Sequence, residues 1–152
     1  MIGLAYQARE AAPWLATLGG LIGVLGWLPL SALTAQDDLT RTIATMPAGA
    51  NYVDLWQRFT TDPVINTYLV LYAAGHLVAY VLLGLALRRA RVVPAWSAWL
   101  MIASSPVTVV GFAVPALKTL IYAGVIAVFV ASIPAAHALY EDRGAPVRIA
   151  DR

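Results

Sequence analysis

Residues 63–87, PVINTYLVLYAAGHLVAYVLLGLAL, run for 25 positions between Asp62 and Arg88 without a formal charge. A helix that crosses a bilayer needs about 20 predominantly apolar residues, so this stretch is expected to span a membrane. Within it Tyr68, Tyr72, His76 and Tyr80 recur at every fourth residue, which sets them near one another on one helix face. Each four-residue step drifts by about 40°, so Tyr68 and Tyr80 do not face one neighbour squarely. The functional centre is therefore expected at Tyr72 and His76 with one flanking tyrosine. His76 lies 12 residues from Arg88, about 18 Å along a helix axis, which places it near mid-bilayer. Polar and ionisable groups at that depth are costly and are often functional.

The same spacing of charges recurs on both sides of this segment. There are 26 uncharged residues between Glu10 and Asp37, 26 between Arg91 and Lys118, and 22 between Lys118 and Glu141. Over the 152 residues 61% are hydrophobic and only 12% charged, where a soluble domain carries about 25%. A soluble helical bundle would need charged outer faces, and none of the four windows has one. The expected fold is all-α: a single integral membrane domain, a four-helix transmembrane bundle with spans at 13–35, 64–87, 94–114 and 116–140 and a polar, frayed tail at 141–152. The first apolar run exceeds the roughly 7–15 residues of a signal-peptide core, so it is expected to stay as a span. The last two spans are joined by so short a link that they must be antiparallel neighbours.

Prolines and glycines shape these helices. Pro13 and Pro94 suit first turns, where a missing N–H costs nothing. Pro29, Pro106 and Pro134 fall inside spans, where each frees a carbonyl and bends the helix. Gly19 and Gly23 form a GxxxG pair that lets another helix approach closely, which makes them the expected face for a homo-oligomer. In the loop at 36–62, Tyr52, Leu55, Trp56 and Phe59 line one helical face. Asn51 is the expected cap, and Asp54 and Arg58 an i, i+4 pair. A short amphipathic helix on the membrane surface or over the bundle is expected there. With four spans, seven of the ten Lys and Arg residues share the side of Arg88, Arg89 and Arg91. The positive-inside rule then predicts a multi-pass protein of the plasma membrane with both termini cytoplasmic.

Several functions are excluded or given no support. The chain has no cysteine, which removes disulfides, thiolate metal sites and thiol redox chemistry. Net charge is only +2 and the basic residues are scattered, so nucleic acid is not an expected partner. His76 and His137 differ in depth by roughly 12 Å on the helix-rise arithmetic, too far to hold one haem. No metal or other cofactor is expected.

What remains is acid–base and binding chemistry on the polar stripe. Neutral imidazole both donates and accepts a proton, so His76 and Tyr72 are the candidate catalytic residues. Tyr68, Tyr80, Ser104, Ser105 and Thr108 are candidate ligand-binding residues. The competing structural role is an imidazole bonded to Ser104, Ser105 or Thr108 across two helices. A second polar cluster of Asp37, Asp38 and Lys118 is expected at the outer mouth. The run Leu71-Tyr72-Ala73-Ala74-Gly75-His76, with Gly84-Leu85-Ala86-Leu87-Arg88 and Pro94-Ala95-Trp96, resembles a pattern in small multi-pass membrane proteins of actinobacteria. The resemblance covers about 30 residues and implies architecture and a bacterial source, with no catalytic assignment. The expected function is binding of a lipophilic small molecule in an intramembrane cavity, with acid–base turnover as its chemistry. The alternatives are a non-enzymatic accessory or oligomer-forming subunit, and an oligomeric transporter or channel.

Overall fold

A computed structural model describes residues 1–45 and 50–144. These residues form seven α-helices, α1 (Ile2–Ala8), α2 (Pro13–Trp27), α3 (Leu30–Thr45), α4 (Ala50–Thr60), α5 (Pro63–Ala90), α6 (Ala95–Ala113) and α7 (Thr119–Gly144), with a 3-10 turn at Pro115–Leu117. There is no strand among the described residues. Four helical stretches are long and apolar enough to cross a membrane: Pro13–Thr45, Pro63–Ala90, Ala95–Ala113 and Thr119–Glu141. The fold is the expected all-α bundle.

The distribution of side chains is inverted relative to a soluble protein. The buried set is dominated by small residues, among them Ala16, Ala79, Ala86, Ala98, Ala131 and Ala135. Large apolar side chains such as Leu21, Phe112, Ile126 and Ile133 point outward. Lipid tails are as apolar as leucine, so nothing drives such side chains inward. Close backbone approach through small residues is what holds helices together. The α2–α5 contact is the tightest example. A methyl group added to Gly26 would come within 2.7 Å of the His76 amide nitrogen and 2.8 Å of the Gly75 carbonyl carbon. Two hydroxyls bond across helices, Ser105 Oγ to the Leu77 carbonyl at 2.8 Å and Ser97 Oγ to the Ala131 carbonyl at 2.7 Å.

Helix boundaries follow local chemistry, with some differences from the sequence expectations. α5 starts at Pro63 because Asp62 caps it, accepting from the Val64 and Ile65 amides at 2.8 and 3.3 Å. It ends where Arg91 turns left-handed at φ 55°. Pro94 is the cap of α6 rather than its first helical residue. Lys118 precedes α7, closing the 3-10 turn. The cap expected of Asn51 rests on a side chain outside those described, and Asp54 and Arg58 make no ion pair among the described residues. Pro106 and Pro134 sit within continuous helices, whereas Pro29 divides α2 from α3. Hydroxyls bond back to carbonyls beside that break: Thr34 Oγ1 donates to Leu30 and Ser31 at 3.0 and 2.9 Å, and Ser31 Oγ to Leu28. The helix also continues to Thr45, ten residues past the expected end of the span. Thr40 and Thr42 bond back to carbonyls one turn earlier at 2.8 Å, and Leu33, Gln36, Thr40 and Ile43 form a half-buried face. α7 extends to Gly144, and the tail from 145 to 152 lies outside the described residues.

One element was not expected. α1 is a half-length helix inside the bundle, antiparallel to α2 and packed on α2, α5 and α7. Ala5 meets Gly20, Gly3 meets Leu139, and Met1 lies at the depth of Gly23 and Ala79. Ala8 is fully buried. Its signal in the sequence is the apolar set Met1, Leu4, Ala5 and Ala8, spaced i, i+3, i+4, i+7. A short element at membrane depth is stable only where protein covers it, and three helices cover this one. α1 fills the arginine-bearing half of the space between α2, α5 and α7 and leaves the other half open.

Candidate functional site

The open half is a cleft of about 440 Å³, within the range of small-molecule pockets. Its floor is Met1 and Leu4 at the tip of α1. One wall is Trp27 of α2 with Tyr72, His76, Leu77 and Tyr80 of α5; the other is α7 from Gly124 to Ser132, with Thr108 of α6 between them. At its edge Val125 and Phe129 are 48% and 72% exposed. Two local features make this space. α1 is too short to fill the bundle, and the break at Pro29 turns α3 away so that α5 meets α2 along its length but little of α3.

His76 sits at the centre of an aromatic cluster. Its ring centroid is 4.5 Å from Tyr72, 5.8 Å from Tyr80 in an edge-on arrangement and 5.9 Å from Trp27. Trp27 also meets Tyr72 edge-on at 5.7 Å. Edge-on pairs at these distances are the preferred aromatic geometry. His76 Nδ1 bonds to the Tyr72 carbonyl. A carbonyl only accepts, so Nδ1 carries the hydrogen, and in the neutral ring Nε2 carries the lone pair. Nε2 has no protein partner, yet it is not among the buried unpaired atoms of the described residues. It is therefore accessible from the cleft. The Tyr72 and Tyr80 hydroxyls also line the cleft; the Tyr80 oxygen accepts from the Trp27 indole N–H, and neither phenol donates to a protein group among the described residues.

The structure gathers some of the sequence-predicted residues and separates others. Tyr72, His76, Tyr80 and Thr108 all line the cleft. Tyr68 does not, and is 38% exposed one turn beyond. Ser104 and Ser105 are buried, Ser104 donating to Met101 at 2.6 Å and Ser105 to Leu77. His76 makes no bond to Ser104, Ser105 or Thr108; its one hydrogen bond stays within its own helix. The helix tie expected of His76 is made by Ser105 instead. Asp37, Asp38 and Lys118 are all exposed and form no ion pair with one another, so the outer polar cluster is not assembled. Asp37 instead borders a separate depression with Gln36, Thr60, Asn66 and Tyr72. Gly19 and Gly23 are buried against Leu82, Leu83, Ala79 and Met1. Their close-packing face is used within the chain, not left free for a second copy. His137 lies outside the cleft and pairs with Glu141 at 3.5 Å.

Trp27 is the site residue that sequence reasoning missed. It lies next to the helix-breaking pair Leu28-Pro29, and a tryptophan beside a break inside an apolar run was the available signal. No family model matches the chain, and neither does any curated protein or solved structure.

Proposed function

We propose that this protein binds a lipophilic small molecule that reaches the Trp27–Tyr72–His76–Tyr80 cleft sideways from the bilayer. The observation that carries the proposal is a cleft whose only imidazole has Nδ1 tied down and Nε2 open. His76 is the group that accepts a proton or a hydrogen bond from the ligand. Tyr72 and Tyr80 hydroxyls orient the ligand's polar end, and Trp27 and Phe129 cover its apolar body. Acid–base turnover of the bound molecule follows the same geometry, because a neutral imidazole lone pair is a general base. The chain belongs, on this proposal, to a bacterial plasma membrane, with both termini and the Arg88–Arg91 turn in the cytoplasm. Seven of the ten basic residues support that orientation.

The test is photolabelling in nanodiscs with a bilayer-soluble aryl diazirine, followed by mapping of the labelled peptides. Label is expected in the Tyr72–Tyr80 segment and to fall at least several-fold in Val128→Trp, which fills the cleft from α7. Undiminished label in that segment would remove the cleft as a binding site. If binding and turnover of a ligand so identified survive both His76→Ala and Tyr72→Phe, the roles given to those residues fail.

A further inference from the structure

The hydrogen-bonding sense of the cleft narrows the ligand class, an inference that rests on the binding proposal above. Besides Nε2, the two phenols and the indole N–H of Trp27, its side-chain polar groups are the hydroxyls of Thr108 and Ser132. Both have spent their hydrogens on their own helices: Thr108 Oγ1 donates to the Ser104 carbonyl and Ser132 Oγ to the Val128 carbonyl, each at 2.8 Å. What they offer the cleft is lone pairs. Three acceptors therefore face the space, namely His76 Nε2, Thr108 Oγ1 and Ser132 Oγ. The free donors are the Tyr72 and Tyr80 hydroxyls, the Trp27 indole N–H being spent on the Tyr80 oxygen.

Among the described residues no Lys, Arg, Asp or Glu side chain lines the cleft. An anionic head only accepts and would leave Nε2 unpaired, and a cationic head would find no carboxylate. A neutral head is left. A carbonyl or ether oxygen uses the tyrosine donors but leaves Nε2 unpaired, and an unpaired polar group out of water costs free energy. A hydroxyl satisfies both, donating to Nε2 and accepting from a tyrosine. The walls add a shape preference. Trp27, Tyr72, Tyr80 and Phe129 present ring faces and edges, which pack best on another ring.

We infer that the cleft selects a neutral, ring-bearing lipophilic alcohol of the phenol or hydroquinone class, its O–H donating to His76 Nε2. The experiment compares para-hexylphenol with its methyl ether, which keeps ring, tail and oxygen but cannot donate. Each is titrated calorimetrically into nanodiscs containing the whole chain, with empty nanodiscs subtracted for partitioning. The phenol is expected to bind roughly five- to tenfold more tightly, the worth of one neutral hydrogen bond. His76→Phe is expected to erase that preference while both compounds still bind. Equal affinity of the two compounds for the wild-type protein overturns the inferred class and leaves the cleft intact as a lipophile site. Absence of binding by either overturns the binding proposal along with it. The wild-type comparison needs no variant, so a folding defect in His76→Phe does not blunt it.

Discussion

At Gly26 one missing side chain decides whether the site exists. It lies between Leu25 and Trp27, and it is where α2 touches α5 backbone to backbone. Trp27 is thereby held against Tyr72 and His76. A Cβ at this position meets main-chain atoms of Gly75 and His76, which have no rotamer to give. Gly26→Ala is expected to push the helices apart and to cost about 1–3 kcal/mol, the usual penalty of overpacking. Gly3→Ala is the contrast: its added methyl meets only the tip of Leu139 at 2.9 Å, a flexible side chain that can turn away. That variant is expected to change stability by no more than about 0.5 kcal/mol. Unfolding of the two variants by titration with a denaturing detergent checks both values. Equal losses would show that α2 and α5 do not meet at Gly26. At this scale the sequence was legible in part. The four-residue repeat pointed to Tyr72, His76 and Tyr80 because a helix brings them together by itself. Trp27 depends on a crossing between helices 40 and more residues apart, and no local pattern encodes that.

Single elements show the same division between local and tertiary information. The spans were readable because charge-free runs of 22 to 26 residues leave few other structures. α1 was not, since seven residues fall far below a span and the charged Arg9 and Glu10 follow directly. The GxxxG pair was readable as a packing face, but a sequence does not say whether the partner is another copy or another part of the same chain. Here it is α5 and α1. Because α1 forms the floor of the cleft, its placement is testable on its own. The chain has no cysteine, so one introduced thiol is a unique reporter. Ile2 is 73% exposed at the inner tip of α1. A spin label at Ile2→Cys is expected to be relaxed strongly by oxygen, which concentrates in lipid, and weakly by a water-soluble nickel chelate. A label at Glu10→Cys, beyond the end of α1, is expected to show the reverse. If both positions favour the nickel chelate, α1 lies on the surface and the cleft has no floor.

The whole molecule is organised by the mismatch between its helices and a bilayer. α5 has 28 residues, about 42 Å of helix, and α2 with α3 is longer still, against a hydrocarbon thickness of about 30 Å. α6 has 19 residues, about 28 Å, and fits with nothing to spare. The excess of α3, together with α4, must therefore project on one side only, because the other side is bounded by the short α5–α6 turn and its arginines. Exposed aromatic residues agree with that boundary. Trp14, Trp96, Trp99 and Tyr140 cluster near the arginine end, each at least half exposed, where amphipathic rings favour the headgroup layer. Two positions then report the orientation directly. Val92 lies in the α5–α6 turn and Leu117 in the 3-10 turn before α7, exposed by 38% and 41% and separated by the full length of α6. In sealed vesicles of known sidedness, a water-soluble thiol reagent is expected to label Val92→Cys only from the cytoplasmic face and Leu117→Cys only from the opposite one. Replacing Arg88, Arg89 and Arg91 by alanine removes three of seven positive charges on that side and is expected to produce mixed labelling at both sites. Labelling of Val92→Cys from the outside alone would invert the protein and place the projecting α3–α4 segment in the cytoplasm.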